Sequence, residues 1–474
     1  MTTESDTKRK KYAEVDRISN LPDLLLCHIL SFLPTKQSVA TTILSTRWKP
    51  LWTMVPVLDF EDIKRQNQDD VAESNDGMTF THFVWRVYAL RKPIHVKKLK
   101  LQFHNRSVVD PIYVRTWISY AIGHHLEELR LYLLGNLSQP IELPQSFYNS
   151  ESLKVLRLDG EVLLNCPSFV HFPNLKHLFL GFGIKYANDD CFRRLISCSS
   201  HLKNLFVFSD PKDKNVRFKL DINAPILKYL FLWGRDCQDY LLENVTNVVK
   251  AYIYLLGHRQ NDEHENYGHC ILKLLRAIPN VQTLTLHFTK GLSFAFTYDI
   301  PKFNNLRLLE LRVSCCEWQL LPKFLESAPN LENLFLKKVN TEGPHESCWT
   351  EPPHVPKCLT SHLQSFYFLG FRSLDHELEL VKYILNNAKV LKTMGIQTGL
   401  SDFEENFLIL KKLPEFPRCS LTCRLEFSTV YPPSLSLSLT VSDSSQPSLL
   451  LGSSKETMAQ YPPSNRSPDT KSGL

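Results

Sequence analysis

The densest group of side chains able to do chemistry is Asp262-Glu263-His264-Glu265, with His269 and Cys270 just beyond. Carboxylates, imidazole and thiolate are the ligands of divalent metals. The run lies between a turn signal at Gly257 and a helical pattern near Cys270, a setting that equally suits a solvated loop. The loop is the reading taken, and no metal site is expected. The 12 cysteines include no C-x-x-C pair; Cys315 and Cys316 are adjacent, and Cys419 and Cys423 are four apart. Without a C-x-x-C pair, and with the other cysteines scattered, a structural zinc site is not expected. No G-x-S-x-G, H-E-x-x-H, Walker A or G-x-G-x-x-G run occurs. Glycine, at 16 residues, is sparse, which counts against phosphate-cradling loops. No cysteine has the surroundings of a catalytic thiolate. The expectation is a non-catalytic chain with no cofactor.

What remains is the frame that would position binding residues. The chain has 474 residues, 43% hydrophobic and 22% charged, with a formal net charge of +6. That balance is globular and argues against nucleic acid as a partner. No apolar run reaches the roughly 18 residues of a membrane span, so no membrane is expected. The polar start ends in Lys8-Arg9-Lys10-Lys11, read either as a nuclear import signal or as a solvated tail. These features predict an intracellular protein of cytoplasm or nucleus, with free thiols. The glycosylation triplets at Asn105, Asn136 and Asn244 are then chance matches.

Leucine is the outlier, with 75 residues, about 16% of the chain. Many fall in a frame L-x-x-L-x-L, in which Val, Ile, Met, Ala or Phe can substitute. It runs in twelve copies from Val96-Leu99-Leu101 to Leu391-Met394-Ile396, at spacings of 21 to 33 residues. The fourth and sixth positions share one face of a short strand. A single such strand cannot bury that face, but stacked copies can. Helical spacing follows several frames: Pro111–Ile122, Asp189–Ile196, Cys270–Ile278, Gln319–Ala328 and Glu377–Ala388. Strand, helix and parallel strand give an α/β class and an open leucine-rich repeat solenoid. The asparagine that usually follows the strand in the common plant receptor type is missing, which leaves the curvature open.

Positions three, five and seven point away from that core. Position five reads Lys100, Arg130, Arg157, Phe179, Phe206, Phe231, Tyr252, Thr285, Glu310 and Phe335; position seven adds Phe208 and Trp233. Strands about 4.8 Å apart would set Phe179, Phe206, Phe208, Phe231, Trp233 and Tyr252 in one patch. Exposed, it is a candidate target-binding surface. The alternatives are a covering segment of the chain or a register slip that turns rings inward.

Asp16 to Trp52 is patterned differently. Pro22 suits a first helical turn. Leu26, Ile29, Leu30 and Leu33 follow at helical spacing, and Pro34 stops the helix. A second helix is expected from about Lys36 to Leu44, and a third presents Trp48, Leu51 and Trp52. Three short helices cannot hide so many large apolar residues, so the module expects a partner. The segment resembles an F-box, in Leu21-Pro22, Ile29-Leu30-Ser31-Phe32-Leu33-Pro34 and Leu44-Ser45-x-Arg47-Trp48-x-x-Leu51-Trp52. The resemblance implies docking on a Skp-type adaptor, and through it on cullin and RING proteins. It carries that role to Leu21, Pro22, Leu24, Ile29, Leu30, Leu33, Leu44, Trp48, Leu51 and Trp52. Which of these touch the adaptor and which pack internally stays open.

A second resemblance lies further on. Val355-Pro356-x-Cys358-Leu359, Gly370-Phe371, Glu377-x-Glu379-Leu380, Tyr383-Ile384-Leu385-x-Asn387-Ala388, Leu391-Lys392-x-Met394 and Pro417-Arg418-x-Ser420 are similar to the FBD domain of plant proteins. Ser373 stands where that family usually has glycine. The expected divisions are 1–15, a disordered basic start; 16–60, F-box; 61–77, polar linker; 78–350, leucine-rich repeats; 351–427, FBD continuing the arc; and 428–474, a disordered Ser/Pro-rich tail. The family implies a substrate-recognition subunit of an SCF ubiquitin ligase, holding an unknown target protein. The competing reading is a scaffold that binds protein partners without directing ubiquitination.

Overall fold

The protein is described here from a computed structural model. It describes residues 18, 20–62, 76–92, 94–103, 109–133, 139–188, 190–209, 220–234, 240–255, 264–288, 299–313, 318–338, 349–398 and 413–428. The basic start, most of the 61–77 segment, Asp262, Glu263, Cys315, Cys316 and the Ser/Pro-rich tail lie outside them.

Two helices open the described chain. α1 (Asp23–Leu30) starts after Pro22 and α2 (Thr35–Ala40) after Pro34. Each proline fits because the first turn needs no N–H from it. Short 3-10 turns at Thr41–Ile43 and Leu51–Met54 complete the module. The expected second helix is therefore shorter than Lys36–Leu44 and tightens at its end.

One sheet of fourteen parallel strands follows, ordered by sequence throughout. Its strands β1 to β14 are Val57–Glu61, Lys98–Phe103, Glu128–Leu133, Val155–Gly160, His177–Leu180, Asn204–Phe208, Tyr229–Gly234, Lys250–Leu255, Thr283–Phe288, Leu308–Val313, Asn333–Lys338, Ser365–Phe371, Thr393–Thr398 and Arg424–Ser428. All twelve leucine frames are strands, β2 to β13. Neighbours pair in frame, with Leu99 beside Leu129 and Leu129 beside Leu156. β1 and β14 extend the sheet at both ends. β1 begins inside the segment expected to be only helical, and its Val55, Leu58 and Phe60 repeat the frame without its first and last leucines.

Fourth and sixth positions are buried along the arc, many of them completely. Helices close that face: α3 (Asp76–Leu90), α4 (Pro111–Gly123), α5 (Asp190–Ser197), α6 (His264–Ala277), α7 (Leu320–Ser327), α8 (Lys357–Ser361) and α9 (Asp375–Asn387). Asp76 and Gly77, expected as linker, begin α3, and α6 starts earlier than Cys270. Strand-like returns form two further small sheets, which pair Ile141–Glu142, Val162–Leu164 and Ile184–Tyr186, and Leu220–Asn223 with Tyr240–Glu243.

An asparagine ladder does exist, but it precedes the strands. Asn174 Nδ2 donates to the Glu151 carbonyl at 2.9 Å, Asn247 to Pro225 at 2.7 Å, and Asn280 to Thr246 at 3.0 Å. Each ties one turn to the turn before. Ser152 and Ser420 serve the same purpose through hydroxyls, to Leu126 and Leu391.

Candidate functional site

α1 is apolar nearly all round, and its packing divides it. Leu26, Cys27 and Leu30 face inward with Trp48, Leu51 and Val55, forming a small core of their own. Leu24, Leu25 and Ile29 face water, Leu24 at 84% exposure. Phe32, at 70%, extends that row past the helix end, its ring edge-on to His28 at 5.0 Å. Ile43 and Leu44, at 86% and 62%, add a second group. A monomer seldom leaves this many large apolar side chains in water unless the surface meets a partner.

The module is braced. Arg47 bonds Asp23 Oδ1 at 2.7 Å and also donates to the Leu21 carbonyl, closing the end of the module on the start of α1. Thr35 Oγ1 accepts from the Asp59 N–H at 2.8 Å, linking α2 to β1. Val39 and Trp52 pack on the core of the repeats. The module thus sits as a fixed cap on the first strand.

The residues expected to meet an adaptor therefore separate. Leu30, Trp48 and Leu51 are buried and build the module; Leu21, Leu33 and Trp52 are half-buried; Pro22, Leu24, Ile29 and Leu44 are exposed. Leu25, Phe32 and Ile43 belong with the exposed group and were missed. The signal was present as a second stripe, Leu25, Ile29 and Phe32, at helical spacing beside Leu26, Leu30 and Leu33.

The aromatic block lies on the opposite sheet face from the leucine core and forms its own cluster. Phe179 pairs with Phe206, and Phe206 with Phe231, in strand register. Ring centroids are 5.7 Å apart for Phe179–Phe206, 6.0 Å for Phe206–Phe231, 4.9 Å for Phe208–Phe231 and 5.5 Å for Phe231–Tyr254. The Arg157 guanidinium sits 4.0 Å above the Phe179 ring, a cation–π contact. The expectation of open rings needs correction for the centre of the patch. Phe206 and Phe231 are only 6% and 5% exposed, while Phe179, Phe208, Trp233 and Tyr252 are half-buried. Rings in register at strand spacing press on one another, so the middle of the patch is covered by its edges.

The far end is built differently. Lys338 and Glu377 are both buried and pair at 2.8 Å. Glu377 Oε2 also accepts the N–H groups of Arg372 and Leu374, at 2.7 and 3.3 Å. The carboxylate thereby fixes the turn between β12 and α9. Gly370, at the register shift near the end of β12, has φ +81°, and a Cβ there would lie 3.3 Å from the Lys338 carbonyl oxygen. Ser373 also has positive φ, at 61°. That explains why glycine would be favoured there.

Thiol chemistry is not prepared at Cys27, Cys166, Cys358 or Cys423. Burial pushes each of these thiols up, Cys358 to about 12. All eight cysteines among the described residues are free. Among the described residues no group of His, Cys, Asp and Glu could hold a metal ion, and no helix is long and apolar enough to cross a membrane. Of the acidic run, His264 opens α6 while Asp262 and Glu263 lie outside the described residues.

Comparison with known proteins matches three regions. The family model described as F-box domain matches residues 18–60, and the FBD model matches 351–396. A model of leucine-rich repeats, described after the FBD-associated F-box protein At5g56370, matches 114–271. An Arabidopsis thaliana protein described as F-box/FBD/LRR-repeat protein At4g26340 is 30% identical over 438 residues, 87% of this chain and 100% of that protein. The similarly described At5g22660, from the same plant, is 31% identical over 453 residues, covering 86% and 96%. The chain belongs to the plant F-box/FBD/LRR-repeat family. The exposed apolar surface is thus on the F-box, the aromatic block lies in the matched repeats through Tyr252, and the Glu377 turn is in the FBD. This composition is that of an F-box protein with a protein-interaction role.

Proposed function

We propose that the chain is the substrate-recognition subunit of an SCF ubiquitin ligase. The F-box docks on a Skp-type adaptor, which brings cullin and RING proteins, and the repeats hold a target protein. The observation that carries this reading is the row Leu24, Leu25, Ile29 and Phe32, with Ile43 and Leu44, left in water by a module that is otherwise well packed. Docking would remove that surface from water at about 25 cal/mol per Å². On the repeats, Phe179, Phe208, Trp233 and Tyr252 offer the contact surface, with Phe206 and Phe231 supporting them from the middle of the cluster. The subunit supplies no reacting group. Its contribution is proximity, which places a lysine of the target beside the ubiquitin-charged conjugating enzyme and turns an encounter into a near-intramolecular step.

The test is co-purification of adaptor and cullin with the chain, followed by ubiquitin transfer to captured protein. Leu21→Ala with Pro22→Ala should lose the adaptor and the transfer while the repeats stay folded. Recovery of the adaptor without cullin would instead mark a plain interaction scaffold.

A further inference from the structure

The residue just before the strand is lysine in four consecutive repeats: Lys154, Lys176, Lys203 and Lys228. Their backbones form one hydrogen-bonded row. Lys176 N donates to the Lys154 carbonyl at 2.8 Å, Lys203 N to Lys176 at 2.9 Å, and Lys228 N to Lys203 at 2.8 Å. The four are thereby held at strand spacing, about 4.8 Å per step. Lys250, beside Tyr229 in register, carries the charge on to the next strand.

Among the described residues, only the first member is neutralised. Lys154 pairs with Glu127 at 2.9 Å. Lys176, Lys203, Lys228 and Lys250 are exposed, and none forms an ion pair among the described residues. Like charges on neighbouring strands repel, so such a row costs stability by itself. Its field reaches His177, whose imidazole is pushed down by burial and further by Lys176 and Lys203.

The row coincides with the aromatic block. Lys176, Lys203 and Lys228 stand three residues before Phe179, Phe206 and Phe231. Beyond them the same position is Val249, Gln282, Arg307 and Glu332, and Arg307 pairs with Glu332 at 3.2 Å. Charge without an ion pair among the described residues and half-buried aromatic edges therefore begin and end on much the same strands.

We propose that this edge binds an acidic segment of the target polypeptide, with carboxylates on Lys176, Lys203, Lys228 and Lys250 and apolar side chains against Phe208, Trp233 and Tyr252. The inference rests on reading the repeats as the target-holding part. A polypeptide fits better than a nucleic acid. The basic feature is one narrow row bordered by aromatic side chains, and a net charge of +6 over 474 residues is not the broad basic face that a phosphate backbone needs.

The test uses the full chain bound to a Skp-type adaptor. The probe is a labelled peptide of glutamate interspersed with leucine, titrated by fluorescence anisotropy at low and high salt. Binding is expected, weakened by salt. It should fall about tenfold or more in Lys176→Glu/Lys203→Glu/Lys228→Glu and by less in the corresponding Gln variant. Absence of binding by the natural chain, equal binding by both variants, or preference for duplex DNA or anionic vesicles over the peptide would overturn the inference. Adaptor retention on the same samples reports separately on the proposed function, because these lysines lie outside the F-box.

Discussion

The two ends of the arc carry the two family signatures and treat them in opposite ways. The F-box end keeps a small core, Leu26, Leu30, Trp48 and Leu51, and leaves Leu24, Phe32 and Ile43 in water. The FBD end turns most of the apolar residues of its signature inward, although Val355 stays 44% exposed. Leu380, Ile384 and Leu385 of α9 are buried, and even the charges of Lys338 and Glu377 are enclosed. The difference teaches that motif residues can be kept for two physical reasons. At one end they form a surface; at the other they hold the last repeats in shape.

The largest effect that would test this contrast is at the closed end. Lys338→Met leaves the Glu377 charge buried without its partner, which costs about 3–5 kcal/mol. A fall in melting temperature of roughly several degrees is expected, with adaptor binding retained at temperatures where the chain is folded. A silent substitution would mean that the FBD end is not locked by this pair.

A smaller effect separates the flanks of the open sheet face. Asp159 is 1% exposed, and burial pushes its carboxyl up to about 6, against the pull of Arg157 and the Phe182 N–H. A carboxyl raised in the folded state binds its proton more tightly there than in the unfolded chain. Its ionisation therefore costs stability as pH rises from about 4 to 6. His287 is lowered to about 4 by burial first, then by Arg312 and Lys337, so its protonation costs stability as pH falls from about 6.5 to 4. The two oppose one another in the natural chain. Asp159→Asn keeps an acceptor for Phe182 and should stabilise the protein near pH 8 by at most about 3 kcal/mol. It should also leave a stability curve that only falls on acidification through that window. An unchanged pH profile by thermal denaturation would reject the assignment.

The smallest effect is at Ser373. Glycine relieves the positive φ but adds freedom to the unfolded chain, so Ser373→Gly should gain about 0.5–1 kcal/mol. A loss in denaturant unfolding would show that the serine side chain contributes something that the strain conceals.

Much of this contrast could be read from the sequence, but unevenly. The twelve frames were legible because each repeats a spacing, and a repeated spacing is its own confirmation. The end strands were harder. β1 carries the frame as Val55, Leu58 and Phe60, inside a segment already explained as helices, and β14 has the polar Thr422 where its frame should begin. In the F-box, the apolar excess was visible, but two stripes on α1 are equivalent until packing chooses between them. Hence Leu30 and Trp48 were grouped with Leu24 although they face opposite ways. In the aromatic block, register followed from the frame, whereas the mutual cover of Phe206 and Phe231 depends on ring orientation, which spacing does not encode. The buried Lys338–Glu377 pair joins residues 39 apart in sequence, a separation at which no local pattern reveals a partner.

The contrast between the ends comes down to whether the exposed F-box residues form a docking surface. Leu24→Asp with Ile43→Asp places charge at two of the most exposed apolar F-box residues and touches none of the small core. The decisive measurement is the affinity of this variant for a purified Skp-type adaptor, with a thermal melt of the same sample. Because Leu24 and Ile43 are the two most exposed of the large apolar F-box residues, the prediction is a loss of about a hundredfold or more with an unchanged melt. Unchanged affinity with an unchanged melt would contradict it.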